Sequence, residues 1–123
     1  MKLEFKSAEI FRNFTLVPLH FKMQNLLLWL GDKEYQLIVT SAYRRKSVHK
    51  NDPRIHRTNP LRAIDLRSWN FGSPFVVAGE INEAWEYDLY RPKLMCCVYH
   101  DVGLGKHFHL QVHENTRLRG GEK

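Results

Sequence analysis

Acidic residues are in short supply in this chain, long apolar runs are missing, and cysteine is confined to one adjacent pair. Thirteen Asp and Glu stand against 19 Lys and Arg, a formal charge of +6. Such a surplus draws a protein to polyanions (nucleic acid, anionic lipid or acidic wall polymers), and charge alone does not choose among them. Apolar runs such as Leu26 to Leu30 are far too short to cross a bilayer. The opening MKLEFKSAEIFRNF has no apolar stretch of signal-peptide length, so the expectation is a soluble chain made in the cytosol. Cys96 and Cys97 are neighbours in sequence and would point to opposite faces of a strand, which excludes a disulfide or a shared metal between them. Free thiols of this kind suit a reducing compartment. With 43% hydrophobic and 26% charged residues, residues 1–123 read as one ordinary globular domain.

Histidine is what the chain has in excess. Seven occur, at 20, 49, 56, 100, 107, 109 and 113. The stretch Gly105-Lys106-His107-Phe108-His109-Leu110-Gln111-Val112-His113 alternates His or Gln with apolar residues at a spacing of two. In an extended strand residues two apart share a face, so Phe108, Leu110 and Val112 point into a core. His107, His109, Gln111 and His113 then point the other way. A row with two adjacent imidazoles suits a metal or acid–base chemistry, provided the rest of the chain supplies a carboxylate and a third imidazole.

The remaining elements are read from periodicity. Apolar residues at 19, 23, 26, 27 and 30 predict a helix ending near Gly31, and Tyr35 to Ser41 predicts a buried strand. Ala42 to Leu61 has no period, is strongly basic and contains the turn signals Asn51-Asp52-Pro53 and Asn59-Pro60. Arg62 to Ser68 alternates as a second strand. Phe75 to Asp88 predicts a second helix with Val76, Val77, Ile81, Ala84 and Trp85 on one stripe and Glu80, Glu83 and Glu86 on a solvated face. Leu94 to Val102 predicts a third strand, turned back by Gly103-Leu104-Gly105, and Glu114 to Lys123 reads as a fraying tail. Strands and helices are segregated, so the class is α+β, a small antiparallel sheet with helices packed on one side.

Asp65 stands between Ile64 and Leu66 in its strand. A carboxylate there must be paired, by Arg62 or Arg67, or must coordinate something. His56 precedes it by nine residues. A His and an Asp close in sequence, with a His on a separate strand, form the open three-ligand arrangement of catalytic zinc, which lowers the pKa of its water to roughly 7.

Ser41-Ala42-Tyr43-Arg44, then a His, then Ala63-Ile64-Asp65, then His107-Phe108-His109 resembles the D-Ala-D-Ala metallopeptidase superfamily. That group includes zinc carboxypeptidases, phage endolysin peptidases and penicillin-insensitive murein endopeptidases, and the hedgehog signalling domain shares its fold. The resemblance implies Zn2+ held by His56, Asp65 and His109. It also implies His107 as catalytic base or oxyanion stabiliser, and Arg44 as a clamp on a substrate carboxylate or carbonyl. Arginine suits that task because its fork pairs bidentately with carboxylate. The chain departs from the family pattern in two places. The His-to-Asp gap is nine rather than seven, and Ser47-Val48-His49 also fits the first-ligand motif, so His49 competes with His56; His56 is preferred because its spacing needs only a two-residue insertion. Lys106 occupies the position of the usual catalytic Glu, so a carboxylate base would have to come from Asp101 or Glu80 unless His107 serves.

The implied activity is a zinc peptidase, acting as a monomer on peptidoglycan stem peptides or cross-links at the cell wall. Small size and the lack of a signal resemble a phage or prophage lysis protein. The alternative is a catalytically inactive virion or partner-binding module of the same fold. An arginine-rich segment from Arg44 to Arg67 also raises nucleic-acid binding, but too few aromatics interleave with it for single-strand recognition, so no specific nucleic acid is expected.

Overall fold

Residues 2–44, 54–101 and 105–120 are described by the computed structural model. In chain order they form β1 (Lys2–Phe5), α1 (Ala8–Phe14), α2 (Phe21–Asp32), β2 (Gln36–Ser41), a 3-10 turn (Arg54–Arg57), β3 (Ala63–Arg67), α3 (Pro74–Ala84), β4 (Trp85–Glu86), β5 (Cys97–Asp101), β6 (Lys106–Gln111) and β7 (Arg117–Leu118). Five strands make one sheet in the order β1-β2-β3-β6-β5, and β4 pairs with β7 apart from it. The class is α+β. The sheet is mixed rather than wholly antiparallel, because β1 runs parallel to β2 while the other three pairings are antiparallel.

Alternation divides the sheet into two unlike faces. Ile64 and Leu66 of β3 pair with Leu110 and Phe108 of β6, and Cys97 of β5 pairs with Leu110. These join Leu37 and Val39 of β2 on the face where Met23, Leu26, Leu27 and Leu30 of α2 and Val77, Ala78 and Ile81 of α3 complete a continuous core. Each large apolar side chain so buried contributes about 1.5–3 kcal/mol. Both cysteine thiols are free and buried, and loss of hydration pushes each up to about 12, so neither is a thiolate near neutrality. The other face carries Asp65 and Arg67 of β3, His107, His109 and Gln111 of β6, and Val98 and His100 of β5 in facing rows.

Several boundaries differ from those the pattern predicts. The amino-terminal residues form β1 and α1, with Phe5 edge-on to Phe11 and Phe14 and Ser7 capping α1 by accepting the Ile10 N–H. Helix α2 begins at Phe21 and runs through Gly31, because Lys33 rather than the glycine is its C-cap. Helix α3 stops at Ala84, since Trp85 turns extended to pair with Leu118. That pairing also holds part of the carboxy-terminal segment, which is therefore not a frayed tail up to Leu118. Trp85 is core, edge-on to Trp29 at 6.2 Å. No helix among the described residues is long and apolar enough to cross a membrane.

Candidate metal centre

Three elements carry the centre. Asp65 sits mid-strand in β3 with His109 directly opposite on β6. His56 arrives from the 3-10 turn, which is tied to the end of β2 by the Arg44 N–H donating to the His56 carbonyl at 2.8 Å. Strand β2 places Val39 opposite Leu66 but Ser41 opposite Asp65, so it carries one extra residue there. A bulge of this kind bends a strand and re-aims the residues beyond it. Here it precedes Ala42 and Arg44, both of which touch the centre.

The ligating atoms meet closely. His109 Nδ1 lies 3.1 Å from Asp65 Oδ1, His56 Nε2 lies 3.3 Å from the same oxygen, and the two nitrogens are 3.3 Å apart. All three residues are buried, and together they form a group able to hold a metal ion.

Their protons are assigned by their outer partners. His56 Nδ1 lies 3.1 Å from the Ala42 carbonyl, which can only accept, so the proton is on Nδ1 and Nε2 presents a lone pair. Gln111 donates its amide to the Met95 carbonyl at 2.7 Å, which turns its Oε1 toward His109 Nε2 at 3.0 Å. That oxygen accepts a hydrogen bond from the Nε2–H, which keeps the proton on Nε2 and leaves the Nδ1 lone pair facing inward. Two imidazole lone pairs and a carboxylate oxygen then converge with no proton between them to share. Acceptors at such distances repel unless a cation lies among them.

A tetrahedral ion with bonds of about 2.0–2.1 Å separates its ligand atoms by about 3.3–3.4 Å. The three separations of 3.1–3.3 Å match that edge. Two neutral imidazoles with one carboxylate suit zinc, whereas calcium and magnesium take oxygen ligands.

Electrostatics agree with the geometry. Burial works to raise the Asp65 carboxyl, but the His109 and His56 rings beside it outweigh that and hold the group well below the usual carboxylate range. Asp65 is therefore an anion at any working pH. His56 is lowered, chiefly by burial and against the pull of Asp65, so it stays neutral and able to coordinate.

The second carboxylate oxygen faces elsewhere. Asp65 Oδ2 is 3.5 Å from Arg44 Nη2 and 3.6 Å from His107 Nε2. His107 Nδ1 lies 3.2 Å from the Gly105 carbonyl and donates to it, leaving Nε2 as the basic nitrogen on the site side. His100 flanks it, ring centres 4.9 Å apart. Of the arginines expected to pair with Asp65 in the absence of a metal, Arg62 instead binds the Val112 carbonyl and Tyr87, and Arg67 stacks on Trp69.

The structure thus brings Arg44, His56, Asp65, His107 and His109 together. His49 lies outside the described residues. His113 is past the end of β6, where its Nδ1 accepts the Asn115 N–H. Lys106 falls on the opposite face of β6 from the histidines, its ammonium 5.6 Å from the Tyr99 ring centre, so position 106 does not address the centre. Asp101 pairs with Lys106 across the strands and accepts the Gly105 N–H, while Glu80 on α3 accepts the Tyr35 hydroxyl. Neither carboxylate is directed at the metal group. Sequence reasoning placed Gln111 on the histidine face through its spacing of two but gave it no role, and it missed the Ala42 carbonyl. The chain matches no protein-family model, no curated protein and no solved structure.

Proposed function

We propose that this protein is a zinc-dependent peptidase of the D-Ala-D-Ala metallopeptidase type, with a hedgehog-like fold, that hydrolyses peptide bonds of bacterial peptidoglycan. The observation that supports the reading most is the convergence of two tautomer-fixed imidazoles and an anionic Asp65 at tetrahedral spacing, with an imidazole and a guanidinium beside them. Zinc held there supplies Lewis acidity, which activates water and polarises an amide carbonyl at neutral pH.

The chain's own residues then divide the remaining work. His107 Nε2 takes the proton of the attacking water and delivers it to the departing amine, a task for which an imidazole is suited near neutrality. As the imidazolium it also stabilises the negative charge that builds on the carbonyl oxygen. Arg44 steadies Asp65 and places a guanidinium charge beside the site, suited to a substrate carbonyl or carboxylate. The basic surface favours an anionic wall.

The test is zinc content measured together with release of muropeptide fragments from purified sacculi. One zinc per chain and fragment release that disappears in His109→Ala support the reading, and full activity of that variant defeats it. The alternative of an inactive virion or partner-binding module draws on one feature, that neither Asp101 nor Glu80 is directed at the centre. Stoichiometric zinc with no cleavage of any wall substrate would favour it.

A further inference from the structure

A second cleft, independent of the metal group, opens where the start of α2, the Asn59-Pro60 turn and the chain after β6 meet. It encloses about 380 Å3 and is lined by His20, Thr58, Asn59, Arg62, His113 and Glu114, with Pro60 in its wall. That volume is at the small end of ligand sites, which run from about 300 to 1,000 Å3.

Its donors are held in fixed positions. His20 is 4% exposed, and its Nδ1 accepts the Lys22 N–H at 3.1 Å, so the proton is on Nε2. Burial, reinforced by the Arg62 charge, lowers the pKa of this ring and keeps it neutral, a donor at Nε2. Among the described residues that Nε2 has no hydrogen-bond partner. His113 has the same tautomer, because its Nδ1 accepts the Asn115 N–H. Arg62 spends Nε on the Val112 carbonyl at 2.9 Å and one Nη2 proton on the Tyr87 hydroxyl at 2.8 Å. Those two bonds orient the guanidinium and leave three of its five N–H groups for the cleft.

One acceptor opposes them. Glu114 borders the same space, and among the described residues it has neither an ion-pair nor a hydrogen-bond partner, Arg62 included. A cation and an anion that border one small cleft without pairing, with two imidazole N–H groups beside the cation, are complementary to a ligand carrying both charges a short distance apart.

We infer that the His20–Arg62–His113–Glu114 cleft binds an α-amino-acid head group. Its carboxylate is received by Arg62 and the two imidazole N–H groups, and its ammonium by Glu114. A bare carboxylate would meet Glu114 unfavourably, and a bare amine would meet Arg62. The paired charges are what the cleft selects.

Alanine of either hand is the probe, titrated into the full-length protein while the histidine ring resonances are followed by NMR. The expected result is a saturable shift of the His20 and His113 rings. Propionate and ethylamine, each lacking one charge, should bind about tenfold or more weakly, the worth of one charge-assisted hydrogen bond. Glu114→Gln, an exposed and nearly isosteric change, should erase the preference for alanine over propionate. His20→Asn keeps an N-cap for α2, removes the Nε2 donor and should weaken alanine and propionate alike. The inference is overturned if alanine moves neither ring, if it moves only His56 and His109 by binding at the metal group, or if propionate binds as well as alanine and Glu114→Gln changes nothing.

Discussion

Gln111→Leu isolates the claim that the inward lone pair of His109 is set from outside the centre. Gln111 is anchored by its bond to the Met95 carbonyl and accepts the His109 Nε2 proton at 3.0 Å. Leucine keeps the bulk and removes both bonds, so His109 is released to rotate and to carry its proton on either nitrogen. Removal of such an outer partner from a metal-bound histidine lowers metal affinity by about 10–100-fold, or about 1.4–2.8 kcal/mol. The fold should suffer less, because Gln111 is only half-buried and water replaces neutral hydrogen bonds that are each worth about 1 kcal/mol net. Competition for zinc against a chromogenic chelator, with circular dichroism to verify folding, reads both effects. A folded Gln111→Leu protein whose zinc affinity lies within about twofold of the parent's would refute the tautomer argument.

Three further outcomes are expected. His107→Ala should retain zinc yet lose about 10²–10⁴ in peptide hydrolysis, measured on purified sacculi; unchanged hydrolysis would remove His107 from the mechanism. Free zinc at a hundred times its dissociation constant should add about 2.7 kcal/mol and raise Tm by roughly 10 °C in a chain of this size, and Asp65→Asn should abolish the rise in differential scanning fluorimetry. Asp88, which accepts from the Tyr90 N–H, Arg91 and Asn115, is held down to about 2 by those bonds. A depressed carboxyl adds stability above its unfolded value of about 3.9 and loses it as pH falls through its folded value. Asp88→Asn should therefore be less stable than the parent at neutral pH, with the gap closing between about pH 4 and pH 2 in urea melts.

What the sequence made legible was whatever obeyed a period. The spacing of two from His107 to Val112 separates two faces of β6, and the structure keeps them separate, with Phe108 and Leu110 in the core and His107 and His109 away from it. Asp65 stands out for the same reason, as a charge between two core residues. Short elements were hidden: β1 has only four residues, and α1 is seven residues long with none buried. Ser7 with Glu9 was the usable signal for α1, a cap followed by an acidic first turn. Trp85 fits a helical stripe but leaves the helix because Leu118, 33 positions away, offers a strand partner. No local pattern encodes such a pairing. The Ala42 carbonyl was equally out of reach, since it is aimed at His56 by a bulge whose register is set jointly by β2 and β3.

X-ray absorption at the zinc edge, on protein reconstituted with one equivalent of metal, examines the coordination itself. The expected first shell is two imidazole nitrogens and a carboxylate oxygen at about 2.0–2.2 Å with no sulfur, and it should lose one imidazole in either His56→Ala or His109→Ala. A shell containing sulfur at about 2.3 Å, or a spectrum indifferent to both substitutions, would contradict the assignment of zinc to His56, Asp65 and His109.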